Sequence, residues 1–219
     1  MSGRHRRRAP GVCVGIDLAG VPHRETGVAI LRSGRLELLT RAGTDEEILG
    51  LARMAGRWGT VAINAPLTRP LGRCCLDDDC RCRTDPGTRS RQLERDLARM
   101  GIPTLATAVL KVLARRGARI AEGLRAIGHE PLEVYPYATL RILGLPTSGK
   151  RTKPGLRKIR RALKPLVPGL DRQRASEHQI DAVVCALTAL LWRLGRTRSV
   201  GLPEEGLMTI PDPDRIQPP

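Results

Sequence analysis

The chain has 219 residues, 41% of them hydrophobic, with 38 Lys or Arg against 22 Asp or Glu and a formal net charge of +16. That length suits one good-sized domain, and that apolar share can fill a core, which excludes wholesale disorder. Arg interrupts every apolar stretch before the ~18 residues a membrane span requires. The basic start, Met1 to Arg8, leads into a run too short for a secretory signal, so the sequence predicts a cytoplasmic protein with no membrane partner.

Residues 1–10 read as a basic tail, and residues 11–197 as the folded domain. Gly11–Leu18, Thr26–Leu31 and Arg35–Leu39 read as an antiparallel three-strand meander, with Ser33-Gly34 as the second turn. Thr44 with Glu47 three residues on forms a capping box, and Ile48, Leu51, Ala52 and Ala55 supply the apolar face of the helix it opens. Thr60–Ile63 reads as a fourth strand, buried on both faces. A loop rich in Pro, Cys and Asp follows over 65–87, then two helices near Ser90–Met100 and Ala108–Ile127. Leu132–Tyr135 is the fifth strand, stopped by Pro136, and a short helix is expected over Ala138–Leu143. Residues 146–168 form a basic insertion with one helix near Leu156–Leu163. Ser176–Arg196 is a core-facing helix, and residues 198–219 read as an irregular, Pro-rich tail.

These elements predict an α/β fold with a sheet of mixed direction. A β–helix–β crossover sets the fourth strand parallel to its neighbour. If that neighbour is the first strand, Asp17 and Asn64 end adjacent strands on the edge where open sheets bind ligands.

Three acids fall at element ends: Asp17 after strand one, Glu133 within strand five and Asp181 early in the last helix, in a row with His178 and Cys185. Carboxylates that converge repel one another unless a cation lies between them, and Mg²⁺ or Mn²⁺ suits such an oxygen-rich setting. Two such ions would clamp the attacking and leaving oxygens of a phosphodiester displacement. The excess of basic residues points to a polyanion, nucleic acid in the form of DNA or RNA. Its densest run is KRTKPGLRKIRRALK, in which Arg151, Lys153, Arg157, Lys158, Arg160, Arg161 and Lys164 are the candidate phosphate contacts. Two Trp, two Tyr and no Phe leave no base-stacking platform.

The ordered motifs GIDLAG, TGVAIL, AINAPL, RQLERDLARMGI, EVYP and HQIDAVVCALTA resemble those of a family of uncharacterised predicted nucleases with an RNase H-like fold, domain of unknown function 429. The resemblance spans Val12 to Leu194. It implies a five-stranded sheet ordered 3-2-1-4-5, with strand 2 antiparallel, and metal-dependent hydrolysis of phosphodiester bonds. It also implies that Asp17, Glu133 and Asp181 are the metal-binding acids, and that Arg91 and Glu94 match a basic–acidic pair ahead of the GI turn, with Glu94, Asn64 or His178 completing the shell and Arg91 a further candidate phosphate contact. The chain departs from the pattern at Asn64, where the family motif reads IDAPL and this chain INAPL. An amide brings no charge and cannot bridge two ions, so the alternative is a nucleic-acid-binding or regulatory protein with an impaired site. His178, where related proteins more often carry Asp, is a candidate to bind metal or activate water. An enzyme acting on a small phosphorylated substrate in the same cleft is a third reading.

Cys74, Cys75, Cys80 and Cys82 lie within nine residues. Their spacing is not that of a zinc knuckle and adjacent cysteines rarely both ligate one ion, so three of the four with a distant His or carboxylate would serve Zn²⁺. An iron–sulfur centre, a disulfide and a redox-sensitive loop are the alternatives. Asp77, Asp78 and Asp79 in the same loop read as solvated, and Cys13 and Cys185 as small buried hydrophobes.

Overall fold

The computed structural model describes residues 11–83, 89–170 and 174–216. The basic tail expected over residues 1–10 lies outside the described residues. Seven strands form one mixed sheet: β1 (Val12–Asp17), β2 (Thr26–Arg32), β3 (Arg35–Ala42), β4 (Thr60–Asn64), β5 (Leu132–Val134), β6 (Thr197–Leu202) and β7 (Gly206–Pro211). Their order is β3-β2-β1-β4-β5-β7-β6. The first five therefore run in the expected order, with β2 antiparallel to β1 and β3. The direct neighbours β1 and β4 are parallel, which sets Asp17 beside Asn64 in register.

The C-terminal segment corrects the sequence reading. It is not an irregular tail, because β6 and β7 form an antiparallel hairpin and β7 lies parallel to β5. Met208 and Ile210 of β7 are buried against Leu93, Leu97 and Ala138, so the hairpin is held by a small core of its own. Pro203, Gly206 and Pro211 sit at the turn and strand ends, where they interrupt a pattern that would otherwise read as two strands.

Among the described residues six α-helices accompany the sheet: α1 (Asp45–Arg53), α2 (Gln92–Arg99), α3 (Lys111–Ala126), α4 (Pro136–Ile142), α5 (Lys153–Leu163) and α6 (Glu177–Arg193). The Thr44–Glu47 capping box that opens α1 is formed. Alternation along the strands assigns the faces. Val12, Val14, Ile16, Val61 and Ile63 point toward α1 and α3, with Ile48 and Leu124 as partners. Cys13, Ala29, Ala62 and Val134 point the other way, into the core built on α6 and α5.

Two glycines decide how close α6 comes. A β-carbon on Gly15 would collide with the Ala182 carbonyl and the Ala186 amide, and one on Gly27 with the His178 carbonyl. Bare backbone at both positions lets α6 lie directly on β1 and β2. Because Gly27 pairs with Asp17, that contact also brings the first turn of α6 to the end of β1. No helix among the described residues is long and apolar enough to cross a membrane.

Candidate active site

Asp17, after Cys13 and Gly15 on the same face of β1, points toward α6 and is 5% exposed. Asn64, its partner in register, shares that face. The Asn64 amide Nδ2 donates to Asp17 Oδ1 at 2.6 Å, and His178 Nδ1 meets Asp17 Oδ2 at 2.7 Å. Asp17 therefore joins a strand-end amide to a helix-start imidazole. The His178 side chain is 44% exposed, and with Nδ1 turned to Asp17 its Nε2 is left for a further partner. The hydrogen bond to Asp17 is the main reason that the His178 pKa is raised above its ordinary 6.5.

One turn further along α6, Asp181 forms an ion pair with Lys150, which donates to Oδ2. The same ammonium also faces its buried Oδ1, so both carboxylate oxygens meet Lys150. Burial pushes the Asp181 carboxyl up to about 6, with Lys150 pulling down and the nearby Asp17 charge pushing up. Lys150 leads into α5, in which Lys153, Arg157, Lys158 and Arg161 are exposed and Arg160 half-buried, with Arg151 and Lys164 exposed at its two ends, while Ile159 and Leu163 anchor the helix in the core.

Glu133 does not join this group. It pairs with Ile63, which faces α3, while Leu132 and Val134 on either side of it pack on the α6 side. The pleat therefore turns the Glu133 side chain to the opposite face from Asp17, Asn64 and Asp181. There Arg91 binds it through two nitrogens, at 2.8 and 2.6 Å, and the Leu67 backbone amide donates to it at 2.8 Å. Glu94 belongs to the same network, accepting from Arg91 Nε at 3.2 Å and from the Thr107 amide at 3.0 Å. Arg91, Glu94 and Glu133 are 1%, 5% and 4% exposed, so Arg91 is not a surface contact for phosphate. Burial opposes the Arg91 charge, and the two carboxylates outweigh it, raising its pKa.

The expected three-acid metal cage is thus not formed. Among the described residues, the only set of three or more His, Cys, Asp or Glu with ligand atoms all within 4.8 Å of one another is Cys74, Cys75, Cys80 and Cys82. At the sheet edge what fits a cation is smaller: the carboxylates of Asp17 and Asp181, where the Lys150 ammonium already sits against both oxygens of Asp181 as a positive charge. In the cysteine loop, which opens the segment between β4 and α2, all four sulfurs come together, rather than three with a distant ligand. Asp77 and Asp78 there are exposed to solvent, as expected, and also pair with Arg115 and Lys111 of α3.

An open cleft of about 880 Å³ runs between this loop, the Gly20–Pro22 turn and α3. Arg69, Arg73, Arg115 and Arg119 line it. Arg116, on the same stretch of α3, is buried and ties the turn down by donating to the carbonyls of Ala19 and Val21, at 2.8 and 2.9 Å, while pairing with Asp45. The sequence reading missed Lys150 as a partner of Asp181 and Arg69 and Arg73 as cleft residues. Their place in basic and loop segments gave no signal beyond charge.

No curated protein matches the chain. The family model for a protein of unknown function (DUF429) matches residues 15–206, from the glycine under α6 to the start of β7. The chain belongs to that family.

Proposed function

We propose that this protein hydrolyses phosphodiester bonds of nucleic acid, DNA or RNA, at the ends of β1 and β4 beneath α6, and that its fold is RNase H-like with an added C-terminal hairpin. The observation that carries the reading is the Asn64–Asp17–His178 chain, a buried carboxylate that fixes one nitrogen of a half-exposed imidazole. An imidazole held in this way serves as a general base, its Nε2 taking a proton from the attacking water while Asp17 fixes the tautomer and steadies the charge that forms. Lys150 and the exposed cations of α5 supply the positive field that draws a phosphate backbone to the site. A Mg²⁺ or Mn²⁺ ion would be held by Asp17 and Asp181 and would supply Lewis-acid polarisation of a phosphoryl oxygen. Lys150 meets the charge of Asp181 until then.

The test is cleavage of branched, duplex and single-stranded DNA and RNA with Mn²⁺ and with a chelator, by wild type, Asp17→Asn and Asp181→Asn. Loss of about 100-fold or more is expected in both variants, in Asp17→Asn from the group that orients the base and in Asp181→Asn from a ligand of the cation. The wild-type rate should rise with pH as His178 loses its proton, through a value above 6.5. Equal rates in all three proteins remove the assignment.

A second reading, binding of nucleic acid without cleavage, has its own support. Asn64 donates to Asp17 where a carboxylate would repel it, and Lys150 already meets Asp181, so both acids are compensated from within the chain. Asn64→Asp separates the two readings. A gain of metal-dependent cleavage over an inert wild type favours binding alone as the native role.

A further inference from the structure

We propose that Cys74, Cys75, Cys80 and Cys82 bind one Zn²⁺ ion in a closed tetrahedral site that holds the β4–α2 loop in place. The geometry carries this first. Four thiolates around zinc at about 2.3 Å form a tetrahedron with edges of about 3.8 Å. Here Cys74 Sγ and Cys80 Sγ are 3.4 Å apart, Cys75 Sγ and Cys82 Sγ are 3.9 Å apart, and all four ligand atoms lie within 4.8 Å of one another. Both pairs exceed the ~2.05 Å of a disulfide bond. The set is therefore spaced for an ion at its centre.

The chemistry of the donors selects the ion. Four soft sulfurs with no carboxylate among them favour zinc over the hard cations suited to the sheet edge. A set of four leaves no open position, which marks a structural site rather than a catalytic one. Such a centre carries roughly two net negative charges when all four thiols are ionised. Two guanidinium groups stand beside the cluster: Arg69 donates to the Cys74 carbonyl, and Arg73 to the carbonyls of Cys75 and Asp77 at 3.0 and 3.2 Å.

The loop also needs such a tie. From Thr68 to Cys82 only Pro70, Arg73 and Leu76 are buried, too little apolar area to order the segment by packing. The ion pairs of Asp77 and Asp78 with α3 are exposed, and exposed pairs contribute little. Arg73, Cys75 and Leu76 form one wall of the arginine-lined cleft, so the zinc would set the position of that wall.

The experiment uses the full chain purified under reducing, chelator-free conditions, with metal content, thiol count and Co²⁺ absorption as readouts. About one zinc per chain is expected, with four thiols shielded until a chelator strips the ion and a thiolate-to-metal band on Co²⁺ substitution. Cys75→Ser and Cys80→Ser lie outside the core, so the variants should fold, yet each should lower zinc affinity by at least about tenfold. Four thiols that stay reactive after added Zn²⁺ would overturn the proposal. So would iron with inorganic sulfide, two disulfides under reducing conditions, or undiminished zinc in both variants. None of these readouts depends on cleavage of nucleic acid, so this site and the sheet-edge reading stand or fall separately.

Discussion

The two faces of one sheet edge carry similar residues to opposite ends. Toward α3, Arg91, Glu94 and Glu133 form a sealed network in which every member is nearly fully buried and one guanidinium serves two carboxylates, with Thr107 and the Leu67 amide filling remaining positions. Toward α6, Asp17, Asn64, His178, Asp181 and Lys150 sit at a mouth, where the imidazole is half-exposed and one ammonium faces both oxygens of Asp181. Complete satisfaction makes the first group a brace for the fold. A half-exposed imidazole fixed by a buried carboxylate makes the second the candidate place for chemistry.

Breaking the brace should have the largest effect. Arg91→Met leaves two buried carboxylates without their cation and should cost about 3–5 kcal/mol, read from the midpoint of denaturant unfolding. A cost below about 1 kcal/mol would mean that the network is open to water.

The contact beneath α6 comes next. Gly15→Val forces a side chain into the Ala182 and Ala186 backbone and should cost about 1–3 kcal/mol or more by overpacking. It should also detach His178 from Asp17, seen as a return of the His178 titration toward 6.5. Unchanged melting and titration would show that α6 does not need bare backbone there.

A smaller, pH-dependent effect sharpens the contrast. The Asp181 pKa is about 6 folded against an ordinary 3.8, so between those values the folded state holds the extra proton. Stability then falls as pH rises through this window, because deprotonation leaves a charge that burial disfavours. Asp181→Asn should therefore gain melting temperature relative to wild type at pH 8 and lose that gain near pH 4, measured in chelator. A gain that does not change with pH would contradict the shift. The smallest effect is expected on the surface of α5, where Lys158→Ala with Arg161→Ala should lower the salt dependence of nucleic-acid binding by about one unit of slope per residue.

Much of this arrangement was legible in the sequence. The meander, the Thr44 capping box and the crossover to a parallel fourth strand followed from turn residues, spacing and handedness, and they led to Asp17 beside Asn64. The misplacement of Glu133 was avoidable in principle. Leu132 and Val134 alternate with it, so one rule of pleat parity turns it away from any group that shares the α6 face. The β6–β7 hairpin is hidden because Pro and Gly bound its strands and β6 buries none of its residues, although Met208–Pro211 of β7 is buried throughout. The pairing of Lys150 with Asp181 and the burial of Arg91 are tertiary facts: charge is visible in a sequence, and the partner that receives it is not.

The most direct measurement is nucleic-acid cleavage per mole of folded protein for Asp17→Asn against Glu133→Gln, each corrected for the folded fraction by circular dichroism. The α6 face as the reacting face predicts a loss of about 100-fold for Asp17→Asn and less than about tenfold for Glu133→Gln. An equal loss in Glu133→Gln, or full activity in Asp17→Asn, would contradict it.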